Sequence, residues 1–441
     1  MEKPINRSRV IPCFSHLTSE FRNRLIKRLI LAFFLISSLQ PLTSIISEAQ
    51  TLDEYLQEAA ENNPELKAYY NDYLAAMQRV PQAGALPDPT LSAGFFPKPM
   101  ERYMGNETAN IQLMQMFPWF GTLRQQKDEA SQLALAQYEA FRIARNSLTY
   151  QVKDTWYQLY HLETEIKLTR EALSLWASNE RLALTRMQNA GASGAGMTEV
   201  LRIRMERKEL ENRLDLLTSS RRPLQAAFNT LLNRNIDDLV KTADTLYALS
   251  AAELILLDSI AENNPRIKML DAEVEAVASQ KKLSRLQGRP MLGLGAEYML
   301  MNPRTENGMS MGGNNMVMPM VSLSLPISRK KYDAMEKEAE LKQAALKHRR
   351  EHTVNELATE WSEAVRDLED AGRRSKLYRD QGELAKQTLD LLMAAYVGSG
   401  DGFEELLRVQ RQMLDYQLRF NEAVVDQHTA VARLEMLVSG D

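Results

Sequence analysis

The sequence is short of the residues that pin small folds together. One cysteine, Cys13, stands in 441 residues. That excludes a disulfide framework and a cysteine-ligated metal centre. Glycine and proline number 19 and 16 and gather at a few points, which leaves long uninterrupted stretches between them. Charge of either sign is not in excess: 54 Lys and Arg face 58 Asp and Glu, for a net −4. A nucleic-acid binder is usually basic, so this balance argues against one. Beyond the first 40 residues no apolar run reaches the length of a membrane-spanning helix. There are five histidines. His348 and His352 sit one helical turn apart, but the zincin glutamate is missing and their neighbours are lysines and arginines, so a solvated helix face is expected. No catalytic constellation and no phosphate-binding glycine loop is present. An enzyme and a bound cofactor are therefore not expected, and energy for any transport has to come from a partner.

What is present begins with a leader. Arg7, Arg9, Arg22, Arg24, Lys27 and Arg28 precede the uncharged stretch Leu29–Leu39. This is the pattern of a signal peptide over residues 1–50, with small residues Ser47 and Ala49 ahead of Thr51; an N-terminal anchor is the alternative. Cys13 lies before the apolar stretch rather than after it, so no lipid anchor is expected.

The remainder is written twice. Glu61-Asn62-Asn63-Pro64 recurs as Glu262-Asn263-Asn264-Pro265, 201 residues on, and Pro89, Leu91 and Gly94 recur as Pro290, Leu292 and Gly295 at the same offset. Further along, Gly191–Arg202 is matched by Gly398–Arg408. Gly194, Gly196, Glu199 and Arg202 align with Gly400, Gly402, Glu405 and Arg408, 206 residues later. A period near 200 means duplication of a half-protein, covering 51–240 and 241–441.

Each half reads in the same order. A capped helix comes first, Thr51 and Glu54 forming a capping box in the first copy. The Asn-Pro break follows, then a second helix. A strand pair is next, within residues 89–117 and 290–325. Leu91, Ala93 and Phe95 alternate with Thr90, Ser92 and Gly94, and Leu292, Leu294, Ala296, Tyr298 and Leu300 alternate with Gly293, Gly295 and Glu297. Loops are expected at Pro97–Glu107 and Asn302–Asn315. Period-2 strands of this length fit a membrane β-barrel or a small soluble sheet. Pro118 and Pro326 are expected in the first turn of helices over about 121–190 and 327–397, each about 100 Å long at 1.5 Å per residue. The glycine clusters at 191–202 and 397–408 are the turns of hairpins, returning over about 197–233 and 403–439. Leu406, Met413, Phe420 and Leu434 form one heptad seam, interrupted at Gln427, and Val424, Val431 and Val438 form another. Two seams imply neighbours on both sides, as in a ring of helices.

Four strands cannot close a barrel, and their open edges are untenable in lipid. Several chains would have to share one. Together these features resemble the TolC-type outer-membrane efflux proteins, over essentially all of Thr51–Asp441. The resemblance implies a mainly α fold in which the hairpins of three chains form an α-barrel and four strands per chain form a shared twelve-stranded β-barrel. It implies a homotrimer in the outer membrane reaching into the periplasm, with a periplasmic adaptor and an inner-membrane pump as partners. Phe117–Arg124 is similar to the branch that serves heavy-metal pumps of the RND type. The outer-membrane component of type I protein secretion is an alternative with the same architecture, and a non-channel periplasmic coiled-coil scaffold is an alternative of another class.

The resemblance also gives the two tips a role as the periplasmic entrance and adaptor-docking end. Gly194, Gly196, Thr198, Glu199 and Arg202 belong to one tip; Gly400, Gly402, Glu405 and Arg408 belong to the other. The family's second acidic position at the second tip is here Arg408. Copies of Glu405 about an axis would repel and raise a carboxylate pKa, or Arg202 and Arg408 would neutralise Glu199 and Glu405 as a latch, or these charges only cap helix starts. Finally, 12 of the 22 methionines crowd the strand regions, among them Met309 and Met311. Thioethers suit soft Cu(I) or Ag(I), and they also serve as adaptable apolar filler.

Overall fold

The computed structural model describes residues 51–189, 194–249, 260, 263–399 and 402–438. The expected signal peptide with Cys13, and Gly400, lie outside these residues. Thr51–Asp441 forms one compact unit.

Local chemistry sets the start of each half. Helix α1 (Leu52–Asn62) begins at the capping box, with Thr51 Oγ1 accepting from the Glu54 amide and the Glu54 carboxylate accepting from the Thr51 amide. The Asn-Pro pair then serves two purposes. Proline occupies the first turn of α2 (Pro64–Ala83), and Asn63 caps that helix by accepting from the Leu66 amide. The Asn63 amide group also donates to the Leu231 carbonyl at 2.9 Å. The second half repeats this. Asn264 caps α5 (Pro265–Gln287) and donates to Leu437 O at 2.8 Å.

Leu231 ends helix α4 (Gly194–Leu231), and Leu437 lies in the last turn of α7 (Phe403–Val438). The two asparagines thus join the end of each return helix to the start of a shorter one. The joined helices cover the two long ones, α3 (Thr122–Asn189) and α6 (Arg329–Ser399), with 68 and 71 residues. At 1.5 Å per residue each is about 100 Å long. No compact core buries such a length, so packing is side by side: α2 and α4 lie on α3, α5 and α7 lie on α6, and α3 also touches α5 and α7. Leu406 and Leu434 of one expected seam and Val424 of the other are buried. Gln427, which breaks the seam, is buried too and accepts from the Leu249 amide. There the connecting segment crosses the helices. Trp156 Nε1 donates to Lys241 O at 3.2 Å, and the hydroxyls of Tyr55 and Tyr160 accept from the amides of Lys241 and Leu246.

The main sheet is antiparallel in the order β1 (Thr90–Arg102), β2 (Gly105–Phe117), β3 (Met291–Asn302), β6 (Met316–Ser324), so β2 and β3 pair across the duplication. Register separates its faces. Leu91 lies opposite Leu113, which lies opposite Ala296, and Ile111 pairs Tyr298, which pairs Val317. This face is apolar and bare: Leu91, Phe95 and Val321 are 70, 77 and 74 % exposed. The opposite face carries Ser92, Gln112 and Glu297 in one cross-strand row, with Asn110 donating to Glu297 at 2.7 Å.

Several boundaries differ from the sequence expectation. The loop expected at Pro97–Glu107 is mostly strand, with a bulge between Phe95 and Met100. Pro97 and Pro99 are tolerated because they fall in that bulge, between the paired residues Phe95 and Met100. The loop expected at Asn302–Asn315 contains a small hairpin, β4 (Arg304–Glu306) and β5 (Met309–Met311), turned by Asn307-Gly308 with φ of 49° and 80°. Pro118 and Pro326 are not helical. Pro118 follows β2 directly and Pro326 follows β6 after Leu325; neither can donate to a ladder, and three and two further residues turn the chain onto the helix.

Candidate functional site at the hairpin tips

At the second tip the described turn residue is Gly402. Gly402 has φ +85°, a conformation that costs a side chain, and its carbonyl accepts from the Leu406 amide to start α7. The first tip is built otherwise. Gly194 is the first residue of α4 and Gly196 is already helical, so neither forms the reversal expected of them. Gly196 instead permits close approach, since an added Cβ would lie 3.3 Å from Met187 Cγ on α3.

A shared apolar core joins the tips. Trp176, Val200 and Ile203 of the first hairpin pack with Leu389, Tyr396, Phe403 and Leu406 of the second. Polar contacts then clamp one side chain. Tyr396 is 1 % exposed, and its hydroxyl donates to Glu199 at 3.1 Å. Arg186, near the end of α3, lies 4.4 Å above the Tyr396 ring and donates to its carbonyl at 2.8 Å. Burial, and then the Glu199 charge, raise the Tyr396 pKa, so the phenol is held as a donor.

Arg408 and Arg202 each pair an acidic side chain at the tips. Arg408 pairs Glu405 within α7, Nε to Oε2 at 3.0 Å. The hydrogen bond from Arg408 lowers the Glu405 pKa within the single chain. Arg202 does not reach Glu199; it pairs Glu404 of the other tip. Thr198 is exposed at the start of α4. A second cross-tip pair, Arg411 to Glu206 at 2.8 Å, lies further along the return helices. Deeper still, Asn179 donates to Gln410 at 2.8 Å.

Arg186, Tyr396 and Glu404 were missed from sequence because duplication draws the eye to positions that match. The residues that join two copies differ between them: at the 206-residue offset Tyr396 falls on Ala190, and Glu404 on Thr198. The methionines of the small hairpin are exposed, Met309 at 69 % and Met311 at 43 %, and stand opposite Glu306 and Arg304. Among the described residues no cluster of His, Cys, Asp and Glu could hold a metal ion, and no helix is long and apolar enough to cross a membrane.

No family model matches the chain, and no curated protein matches it. Solved structures do. The outer-membrane channel OprN is similar at 15 % identity, with a TM-score of 0.74 over 88 % of this chain and 90 % of that one. The outer membrane protein VceC from Vibrio cholerae gives 18 %, 0.72, and 88 and 96 %. The open state of the Neisseria gonorrhoeae outer membrane channel MtrE gives 17 %, 0.71, and 88 and 89 %. The chain therefore has the fold of the TolC-type outer-membrane channels.

Proposed function

We propose that the protein is the outer-membrane exit duct of a tripartite efflux system. One observation carries the reading. A four-stranded sheet with a bare apolar face and two unpaired edges stands beside helical hairpins about 100 Å long. In lipid those edges need partners. Three chains, with the β1 edge of one against the β6 edge of the next, give a twelve-stranded barrel with its apolar face outward. The same threefold places the hairpins in a ring reaching through the periplasm, with residues 1–50 removed as a signal peptide and no lipid anchor.

The duct is passive. Its tips, 191–202 and 397–408, meet a periplasmic adaptor and an inner-membrane pump of the RND type. The clamp on Tyr396 and the Arg202–Glu404 pair hold the two hairpins of one chain together, and their release widens the entrance. Particle images of the detergent-purified protein test the assembly. Threefold tubes support it, and a monomer, or a rod lacking a lumen, sinks it in favour of a scaffold.

A further inference from the structure

The methionines of the main sheet are segregated. Cross-strand partners share a face, so register alone assigns each side chain. Met114 pairs Gly295, which pairs Met320; Met299 pairs Met316; Glu297 pairs Met318. Every methionine of β1, β2, β3 and β6 falls in these rows or in rows of the same face, which is the face of Ser92, Gln112 and Glu297. The apolar face has Leu, Ile, Val, Phe and Tyr and no methionine. Thioethers used as apolar filler belong on that lipid-compatible face. Here they line the other one.

The sulfurs are also gathered. An added Cβ at Gly293 would lie 2.6 Å from Met116 Sδ and 3.2 Å from Met114 Sδ, so those sulfurs are at most 5.8 Å apart, the sum of the two distances. Both lie 3.7 Å from the hydroxyl of Ser322. The gap at Gly293 is what lets the two side chains fold inward over β3. A wall that needed only polarity would carry Ser, Asn or Gln throughout, yet even the row of Ser92, Gln112 and Glu297 ends on Met318. A wall that sets polarizable sulfurs side by side offers ligands to a soft cation.

We propose that this face is a thioether track for a soft monovalent cation, Cu(I) or Ag(I), with Met114 and Met116 as its best-formed site and Met320 beside them. The track rests on the duct reading, which puts this face in the lumen. Several weak sites in series bind enough to select an ion and not enough to hold it. Carrier adaptability toward amphipathic organic molecules is the competing use of methionine surfaces, and the test separates the two.

The test uses the full mature protein in chloride-free buffer. Ag(I) is titrated into the detergent-solubilised wild type, a Met114→Leu/Met116→Leu/Met320→Leu variant, and a Met309→Leu/Met311→Leu variant. Leucine keeps volume and apolarity and removes sulfur. The track predicts saturable Ag(I) binding that weakens about tenfold or more in the strand variant, equivalent to about 1.4 kcal/mol or more, and is unchanged in the loop variant. In planar bilayers Ag(I) then lowers the K+ current of the wild type and not that of the strand variant. Equal Ag(I) affinity in wild type and strand variant overturns the track, as does a loss of binding of an amphipathic organic cation in that variant with Ag(I) binding intact. Absence of K+ current from the wild type counts against the duct instead, and leaves the Ag(I) titration to judge the thioether site alone.

Discussion

The Tyr396 hydroxyl donates to the Glu199 carboxylate at 3.1 Å, across the gap between the two hairpins of one chain. The bond sets a nearly buried phenol from the second hairpin against the first turns of the return helix of the first. With Arg186 on its ring and on its carbonyl, Tyr396 cannot leave this position without giving up three contacts. Replacing it with phenylalanine keeps the packing and removes only the hydroxyl. Tyr396→Phe should cost about 0.5–1.5 kcal/mol, the usual worth of one hydrogen bond, and should raise the single-channel conductance. Glu199→Gln, which keeps an acceptor, should raise it less. Equal conductance in wild type and Tyr396→Phe would show that the clamp does not restrict the entrance.

The same contact predicts a response to alkali. The Tyr396 pKa is raised by burial and by the neighbouring Glu199 charge. A raised folded-state pKa means that the contribution is fully present below the unfolded phenol value, about 10, and is lost as pH rises through the folded value. Amide exchange of the tip segments should therefore accelerate above about pH 10 in the wild type. In Tyr396→Phe it should already be faster at neutral pH and lack that inflection.

Arg202 and Glu404 bridge the tips in the open, at 51 and 74 % side-chain exposure. Exposed pairs are worth about 0.2–1 kcal/mol, less at high salt. The reversal Arg202→Glu should destabilise closure by about that amount, and adding Glu404→Arg should restore it. A double-mutant cycle on thermal midpoints, run at low and high salt, measures the coupling. A coupling of zero at both would remove this pair from the latch.

The Asn-Pro motifs make a stability prediction independent of any channel. Asn264 is buried, caps α5 through its oxygen and holds Leu437 through its nitrogen. Asn264→Ala should lose about 1–3 kcal/mol, because the carbonyl is left without its donor. Asn264→Asp keeps the cap oxygen but sets a second, anionic oxygen against the Leu437 carbonyl in a buried site, so it should lose at least as much. Asn63→Ala should behave alike, since Asn63 makes the same two contacts. Chemical denaturation of each variant measures these differences.

How far the sequence carried the fold is clear from particular residues. The Asn-Pro breaks, the capping box and the long stretches free of glycine and proline are local signals, and among the described residues the helices they predict are present; the first helix of the second half, expected from residue 251, lies outside them but for residue 260. The alternation of β1 and β3 was readable because one face is apolar and the period is 2. The prolines of β1 misled, since Pro97 and Pro99 read as loop until the register places them in a bulge within a continuing strand. The clamp was not readable, because Arg186, Glu199 and Tyr396 meet only after both hairpins have packed. The methionines were visible as a crowd, but only the register puts them on one face.

The central claim is that this chain assembles into a pore. The most direct measurement is the current through a planar bilayer to which purified full-length mature protein is added. The account predicts discrete, equal current steps from threefold particles, larger in Tyr396→Phe than in the wild type. A bilayer that stays silent with protein shown to be folded and trimeric would contradict it.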